Sequence, residues 1–124
     1  MDFLETNASK NNLTLKAVYS DLFQSIESQP FDYIVINPPY YPKTAQNVKE
    51  QAWFCGENFD YFEKLFQQLP NHITIDTNCF MILSQDCAIE KIKAIALKNA
   101  IAFTLVLEKK EWVETNYIFK LTSL

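Results

Sequence analysis

The stretch FDYIVINPPYYPK, Phe31 to Lys43, constrains this chain more than any other. Phe31 to Ile36 is a near-continuous apolar run, the pattern of a central strand in a parallel sheet with both faces covered. The run stops at Asn37, and Pro38 forbids its continuation because proline has no N–H to give to the ladder. Proline also biases the residue before it, Asn37, toward an extended conformation. In open α/β sheets ligands bind outside the carboxyl ends of strands, so a polar residue at this strand end is a candidate site residue.

The remaining pattern supplies the sheet. Phe3 to Asn12 reads as a short polar helix closed by asparagines. Leu13 to Tyr19 alternates and reads as a strand, followed by Ser20, Asp21 and a helical turn over Leu22 to Ser28. Tyr40 to Cys55 lacks periodicity and reads as a long loop, a kind of segment that is often functional. Asn58 is placed to cap a helix ending near Leu69 and Pro70, with Phe59, Phe62, Phe66 and Leu69 on one face. Cys79 to Ser84 is a second buried strand. Asp86 is placed to cap a helix that turns Ile89, Ile92 and Ala96 inward and stops near Asn99. Ile101 to Leu107 and Thr115 to Leu121 read as strands around a charged turn, Glu108 to Glu111. Strands alternating with helices imply a three-layer α/β domain with a mostly parallel sheet. The short connection between the last two strands makes them antiparallel. Asp21 and Asn37 both fall at strand carboxyl ends and are expected to line one cleft.

Composition narrows the function. With 124 residues the chain has the size of one domain, and 48% hydrophobic content is enough for a core. A net charge of −4 argues against broad contact with nucleic-acid phosphates. Cys55, Cys79 and Cys87 are too dispersed to pair with His72 as a metal set, so they read as free thiols of a reducing compartment and His72 as a solvated turn residue. No metal is expected. No charged-then-apolar leader or long apolar stretch is present, so a cytoplasmic location without membrane contact is expected. Gly56 is the single glycine, which excludes a glycine-rich cofactor loop.

The chemistry of Asn37-Pro38-Pro39-Tyr40 follows from its parts. Asn37 presents an amide acceptor. The prolines fix φ and hold the Pro38 carbonyl still, and Tyr40 offers a flat aromatic face. Two fixed acceptors and a stacking surface suit a planar group bearing NH2, such as a carboxamide or the exocyclic amine of a base. Holding the two N–H groups aims the nitrogen lone pair at an electrophile, and such positioning contributes up to about 7–11 kcal/mol in favourable cases. The bland alternative is a strand ending in a proline turn. For Asp21 it is an N-cap, and for Leu22 a place in the core. Tyr41 and Trp53 read as loop aromatics that pack down, or as flanks of a substrate.

The segment FDYIVINPPYY resembles motif IV, (N/D)PP(Y/F), of class I S-adenosylmethionine-dependent methyltransferases that modify amide or exocyclic nitrogens. The segments NASKNNLTLKAVYSDLF before it and EQAWFCGENFDYFEKLFQQLP after it resemble the HemK-like protein-glutamine N5-methyltransferases. The resemblance implies a Rossmann-like three-layer fold, truncated at the N-terminus, mostly parallel with an antiparallel C-terminal strand. It implies that residues 1–124 form a partial methyltransferase domain lacking the first strand, the glycine-rich loop and the second strand. Asn37, Pro38, Pro39 and Tyr40 then match the substrate-amide motif, and Asp21, Leu22 and Asn37 border S-adenosylmethionine, which this chain alone is expected to bind weakly. The implied substrate is a protein glutamine, as in a translation release factor. The alternatives are adenine N6 or guanine N2 in RNA or DNA, or a non-catalytic remnant that binds a partner. An edge strand exposed by the missing half is expected to favour a homodimer.

Overall fold

The structure is a computed structural model and describes residues 2–41 and 44–124. Met1, Pro42 and Lys43 lie outside the described residues, and with them two positions of the predicted loop. The order of elements is α1 (Asp2–Lys10), β1 (Tyr33–Ile36), α2 (Asp60–Gln68), β2 (Asn78–Ser84), α3 (Ile89–Lys98), β3 (Ile101–Lys110) and β4 (Thr115–Ser123). The four strands form one sheet in the order β1-β2-β4-β3. β1 and β2 are parallel, with Ile34 beside Cys79 and Ile36 beside Met81. β4 is antiparallel to both β2 and β3, so three of the four strands share one direction. This is a mixed α/β, Rossmann-like arrangement.

The core lies on one face of the sheet. Cys79, Met81 and Leu83 of β2, with Phe119 and Leu121 of β4, meet Phe62, Leu65 and Phe66 of α2 and Ile92, Ile95 and Ala96 of α3. Phe66 stacks on Phe62 and meets the ring of Phe103 on edge. The predicted apolar face Phe59, Phe62, Phe66 and Leu69 is buried throughout. On the opposite face of the sheet Val35 is 80% exposed, and Phe80, Ile82 and Ile118 are half-buried. Among the described residues, the α2–α3 layer is thus the one that buries a sheet face.

Several local expectations are corrected. Leu13 to Tyr19 forms no strand, and Leu13, Leu15, Val18 and Tyr19 stay exposed. Its alternation lacks a neighbouring strand to pair with among the described residues, and an unpaired strand has no ladder to hold it. Asn58 and Asp86 do not cap. The caps are Phe59, in the left-handed region at φ 59°, and Ala88, neither with a side-chain hydrogen bond. Glu108 to Glu111 is not the turn. β3 continues to Lys110, and a bulge between Leu105 and Leu107 shifts the register before the chain reverses over residues 111–114. His72 is buried rather than solvated. It stacks on Phe23 with ring centroids 4.2 Å apart, lies near Phe31, and its Nδ1–H donates to the Gln29 carbonyl at 3.0 Å. Two aromatic neighbours, both distant in sequence, supply an apolar slot that the turn residues Pro70 and Asn71 did not advertise.

Burial raises two titrating groups the furthest. The Cys79 thiol goes from 9.0 to about 12 and the Tyr61 phenol from 10.0 to about 12. The folded state holds these protons more tightly than the unfolded state does. The stability this provides is complete below the unfolded values and is lost as pH rises from about 9 through about 12. Urea unfolding is expected to show stability falling across that interval, with a shallower fall for Cys79→Ala. Parallel profiles for the two proteins would show that the thiol is not responsible.

Candidate functional site

β1 delivers its last residue, Ile36, into the core, and the chain then turns at Asn37-Pro38-Pro39. The two prolines are buried, Tyr40 is half-buried and Asn37 is exposed. Among the described residues the Asn37 amide makes no hydrogen bond, and the Pro38 carbonyl accepts none from the backbone. Neither acceptor is thus committed to a hydrogen bond among the described residues. They line a cleft of about 510 Å³ together with Pro39, Tyr40, Trp53, Ile82, Leu83, Ser84, Glu114 and Asn116.

The long loop builds the opposite wall. Tyr41 N–H donates to the Trp53 carbonyl at 3.0 Å, and Cys55 N–H donates to the Tyr41 carbonyl at 2.9 Å. This small parallel bridge, with a 3-10 turn at Glu50–Ala52, brings Trp53 to the cleft at 57% exposure. Tyr41 does not line the cleft but tilts against Tyr40, with centroids 4.9 Å apart. Its phenol is pushed up first by Tyr40, then by loss of solvent, with Asp86 and Glu114 adding to the shift.

Asp21 and Leu22 do not share this cleft. They line a second one, of about 760 Å³, with Tyr19, Ser20, Thr44, Ala45, Gln51, Phe54, Cys55, Gly56, Asp60, Tyr61 and Lys64. The expectation of one common cleft is thus replaced by two clefts that border the same segment, with Trp53 on one side and Phe54 and Cys55 on the other. Asp21 is not an N-cap through its side chain. Its carboxylate forms an ion pair with Lys64 of α2, while its backbone carbonyl accepts from Gln24 N–H. Leu22 sits at φ 53°, a left-handed conformation unusual for a bulky residue. The turn is held there by Phe23 N–H donating to Gln68 Oε1 at 2.9 Å and by the stacking of Phe23 on His72. Strain of this kind concentrates at ligand clamps and switch regions.

The second cleft is compatible in size and lining with a nucleoside-type cofactor. Small-molecule sites span roughly 300–1,000 Å³ and are mostly apolar with a few polar groups. Tyr19, Leu22, Phe54 and Tyr61 supply apolar surface. The Asp21 carboxylate keeps acceptor capacity beyond its pairing with Lys64, because a carboxylate has about four lone-pair positions. Gly56, at φ 91°, disfavours any side chain, and an added Cβ would lie 2.3 Å from Asp60 Oδ2, so the Asp60 carboxylate would have to swing away. The three thiols are buried and free, and desolvation pushes each above its ordinary value. They offer no ready nucleophile.

Sequence reasoning missed Ser84, Glu114 and Asn116. Ser84 carried a usable signal, because it ends a buried strand. Asn116 pairs with Ser84 across β2 and β4, so the antiparallel return of β4 carries it and Glu114 to the carboxyl end of β2.

Comparison with known proteins places this geometry. The family described as Methyltransferase small domain matches residues 1–111. A protein of Rickettsia conorii described as a bifunctional methyltransferase is 43% identical over 42 residues, which make up 32% of this chain and 8% of that one. A methyltransferase structure from Pyrococcus furiosus superposes with a TM-score of 0.69 at 17% identity, covering 99% of this chain and 57% of that one. The ribosomal protein L11 methylase of Lactobacillus delbrueckii subsp. bulgaricus gives a TM-score of 0.58 at 17% identity, covering 95% of this chain and 50% of that one. At these identities the two structures speak for the fold alone. The chain spans about half the length of either.

Proposed function

The chain belongs to the Methyltransferase small domain family, and from that membership we propose that it forms the substrate-holding part of an S-adenosylmethionine-dependent N-methyltransferase acting on a protein glutamine. The observation that carries this reading is the open pair of acceptors at the carboxyl end of β1, Asn37 Oδ1 and the Pro38 carbonyl, in a cleft walled by Tyr40 and Trp53. Asn37 Oδ1 and the Pro38 oxygen accept the two N–H groups of a planar amide. The buried prolines keep both acceptors fixed, so little reorganisation is needed at the moment of reaction. The aromatic walls hold the amide plane and exclude water. S-adenosylmethionine, when bound, supplies a methyl group on a positively charged sulfonium. Asp21 and Leu22 would border it in the second cleft, and Asn37 is proposed to border it from the first. Binding of the donor by this chain alone is proposed to be weak, because Gly56 is the single glycine that lets backbone approach a ligand closely.

One observation favours protein over nucleic acid: no lysine lines the first cleft among its described residues. A release factor is the corresponding partner. The second reading, adenine N6 or guanine N2 in RNA or DNA, draws on the same two aromatic walls, which would stack on a base. The outer edge of β1 is unpaired among the described residues, with Tyr33 70% exposed, which supports a proposed homodimer through that edge. Among the described residues no helix is long and apolar enough to cross a membrane. The test supplies a donor-competent form of the enzyme with isotopically labelled methyl donor, a glutamine peptide and an oligonucleotide. Label on the glutamine side-chain nitrogen is expected, and label confined to the oligonucleotide would replace this reading with the second.

A further inference from the structure

The β3–β4 hairpin ends beside the first cleft in an unusual way. Trp112 is 103% exposed and Val113 is 88% exposed, immediately before the cleft-lining Glu114. Such residues at a hairpin tip could be dismissed as a frayed end, but this tip is pinned. Gln85 follows the cleft residue Ser84, and its N–H donates to the Thr115 carbonyl at 2.9 Å. Its Oε1 accepts from Thr115 N–H at 3.1 Å, and its Nε2 donates to the Val113 carbonyl at 3.5 Å. Glu111 N–H closes the turn onto the Glu114 carbonyl at 2.8 Å. The exposed indole therefore stands on a base tied to the cleft wall.

The charges around the tip select the partner. Glu114 is half-buried and has no ion pair among the described residues. Lys109 is engaged by Glu111 at 3.3 Å. All eleven basic residues of the chain are lysines, so there is no guanidinium fork to grip a phosphate with two hydrogen bonds. A nucleic-acid backbone entering here would meet a carboxylate first. A cationic side chain would meet a partner.

We propose that the 111–114 tip is the docking element for a polypeptide substrate with a basic side chain close to its target amide. Trp112 and Val113 form the apolar platform and Glu114 receives the base. The inference rests on the reading of the first cleft as the substrate cleft and adds a selection that the cleft motif does not contain. Exposed tryptophans beside a satisfied polar rim are the residues that dominate polypeptide recognition. Lys110 adds a cation on the strand side of the tip, which makes an oligonucleotide the competing occupant.

Fluorescence anisotropy on the full chain tests this with four labelled probes. They are a short peptide with a glutamine flanked by arginine, the same peptide with glutamate for the arginine, the arginine peptide with methionine for the glutamine, and a single-stranded RNA. The arginine peptide is expected to bind about tenfold more tightly than the glutamate peptide, a size ordinary for one charge pair at an interface. Glu114→Gln should abolish that preference and Glu114→Lys should reverse it. Trp112→Ala should weaken both peptides by about tenfold or more. Trp112 is fully exposed and Glu114 partly so, and unchanged circular dichroism and urea midpoints confirm folding of the three variants. Equal binding of the two charged peptides to the wild type, an unchanged preference in Glu114→Lys, tighter binding of the RNA than of the arginine peptide, or no binding of any probe would each overturn the inference. The methionine peptide separates the two readings. If it binds as well as the glutamine peptide while the charge preference persists, the amide role of the cleft fails and the docking role of the tip stands.

Discussion

Asn37→Ala is expected to lower methyl transfer by about 10²–10³ in a donor-competent form of the enzyme, the size seen when one preorganised polar contact to a reacting group is removed. The variant loses one of two acceptors and leaves the Pro38 carbonyl, the aromatic walls and the buried prolines in place. The decrease should fall mainly on kcat, because the contact matters most when the nitrogen lone pair is aimed at the methyl group. Asn37→Asp is the sharper probe. A carboxylate keeps the acceptor and adds a negative charge near the sulfonium, so it should retain more activity than alanine. Stability should change by less than about 0.5 kcal/mol in either variant, since Asn37 is exposed and makes no hydrogen bond among the described residues. Near wild-type transfer combined with unfolding in Asn37→Ala would make the residue a strand terminator and remove the functional reading.

The largest effect on stability is expected at Phe66. Its ring is fully buried, 6.1 Å from Phe62 and 6.0 Å from Phe103 between centroids, where α2 meets the sheet. Phe66→Ala removes that contact and leaves a cavity that rigid neighbours cannot fill, for a loss of about 3–5 kcal/mol. A domain of this size has roughly 5–15 kcal/mol in total, so the variant should show a greatly lowered urea midpoint. Val35→Ala serves as the control. Val35 is 80% exposed on the uncovered face, and its replacement should leave the midpoint nearly unchanged. A small effect at Phe66 would mean that α2 is not anchored to the sheet as the structure describes.

The sequence by itself determined the elements whose periodicity and punctuation agree. The apolar runs Phe31–Ile36 and Cys79–Ser84 are too short for helices and contain two strands that lie side by side in parallel, although β1, Tyr33–Ile36, is an edge strand with Val35 exposed and not a central strand covered on both faces. The apolar stripe of α2 is buried as its spacing requires. The abrupt Asn37-Pro38-Pro39 stop ended β1 at Ile36, because proline ends a ladder whatever surrounds it.

Only the tertiary structure decided features that depend on partners remote in the chain. Leu13 to Tyr19 has the alternation of a strand, but a strand exists only beside another, and the described residues supply none. His72 looked like a turn residue until Phe23 and Phe31 closed around it. With one glycine in the chain, left-handed positions among the described residues fall also to Asn12 and Ala100, which close α1 and α3 through local backbone bonds, and to Leu22 and Phe59, bulky residues for which local preference is weakest. Asp21 and Asn37 both lie at predicted strand ends, yet the loop through Trp53 and Phe54 folds back onto Tyr41 and parts them into two clefts. Glu114 joined the first cleft because β4 returns antiparallel beside β2 and brings its start to the end of β2. That proximity comes from the pairing of strands and is written in no local stretch of residues.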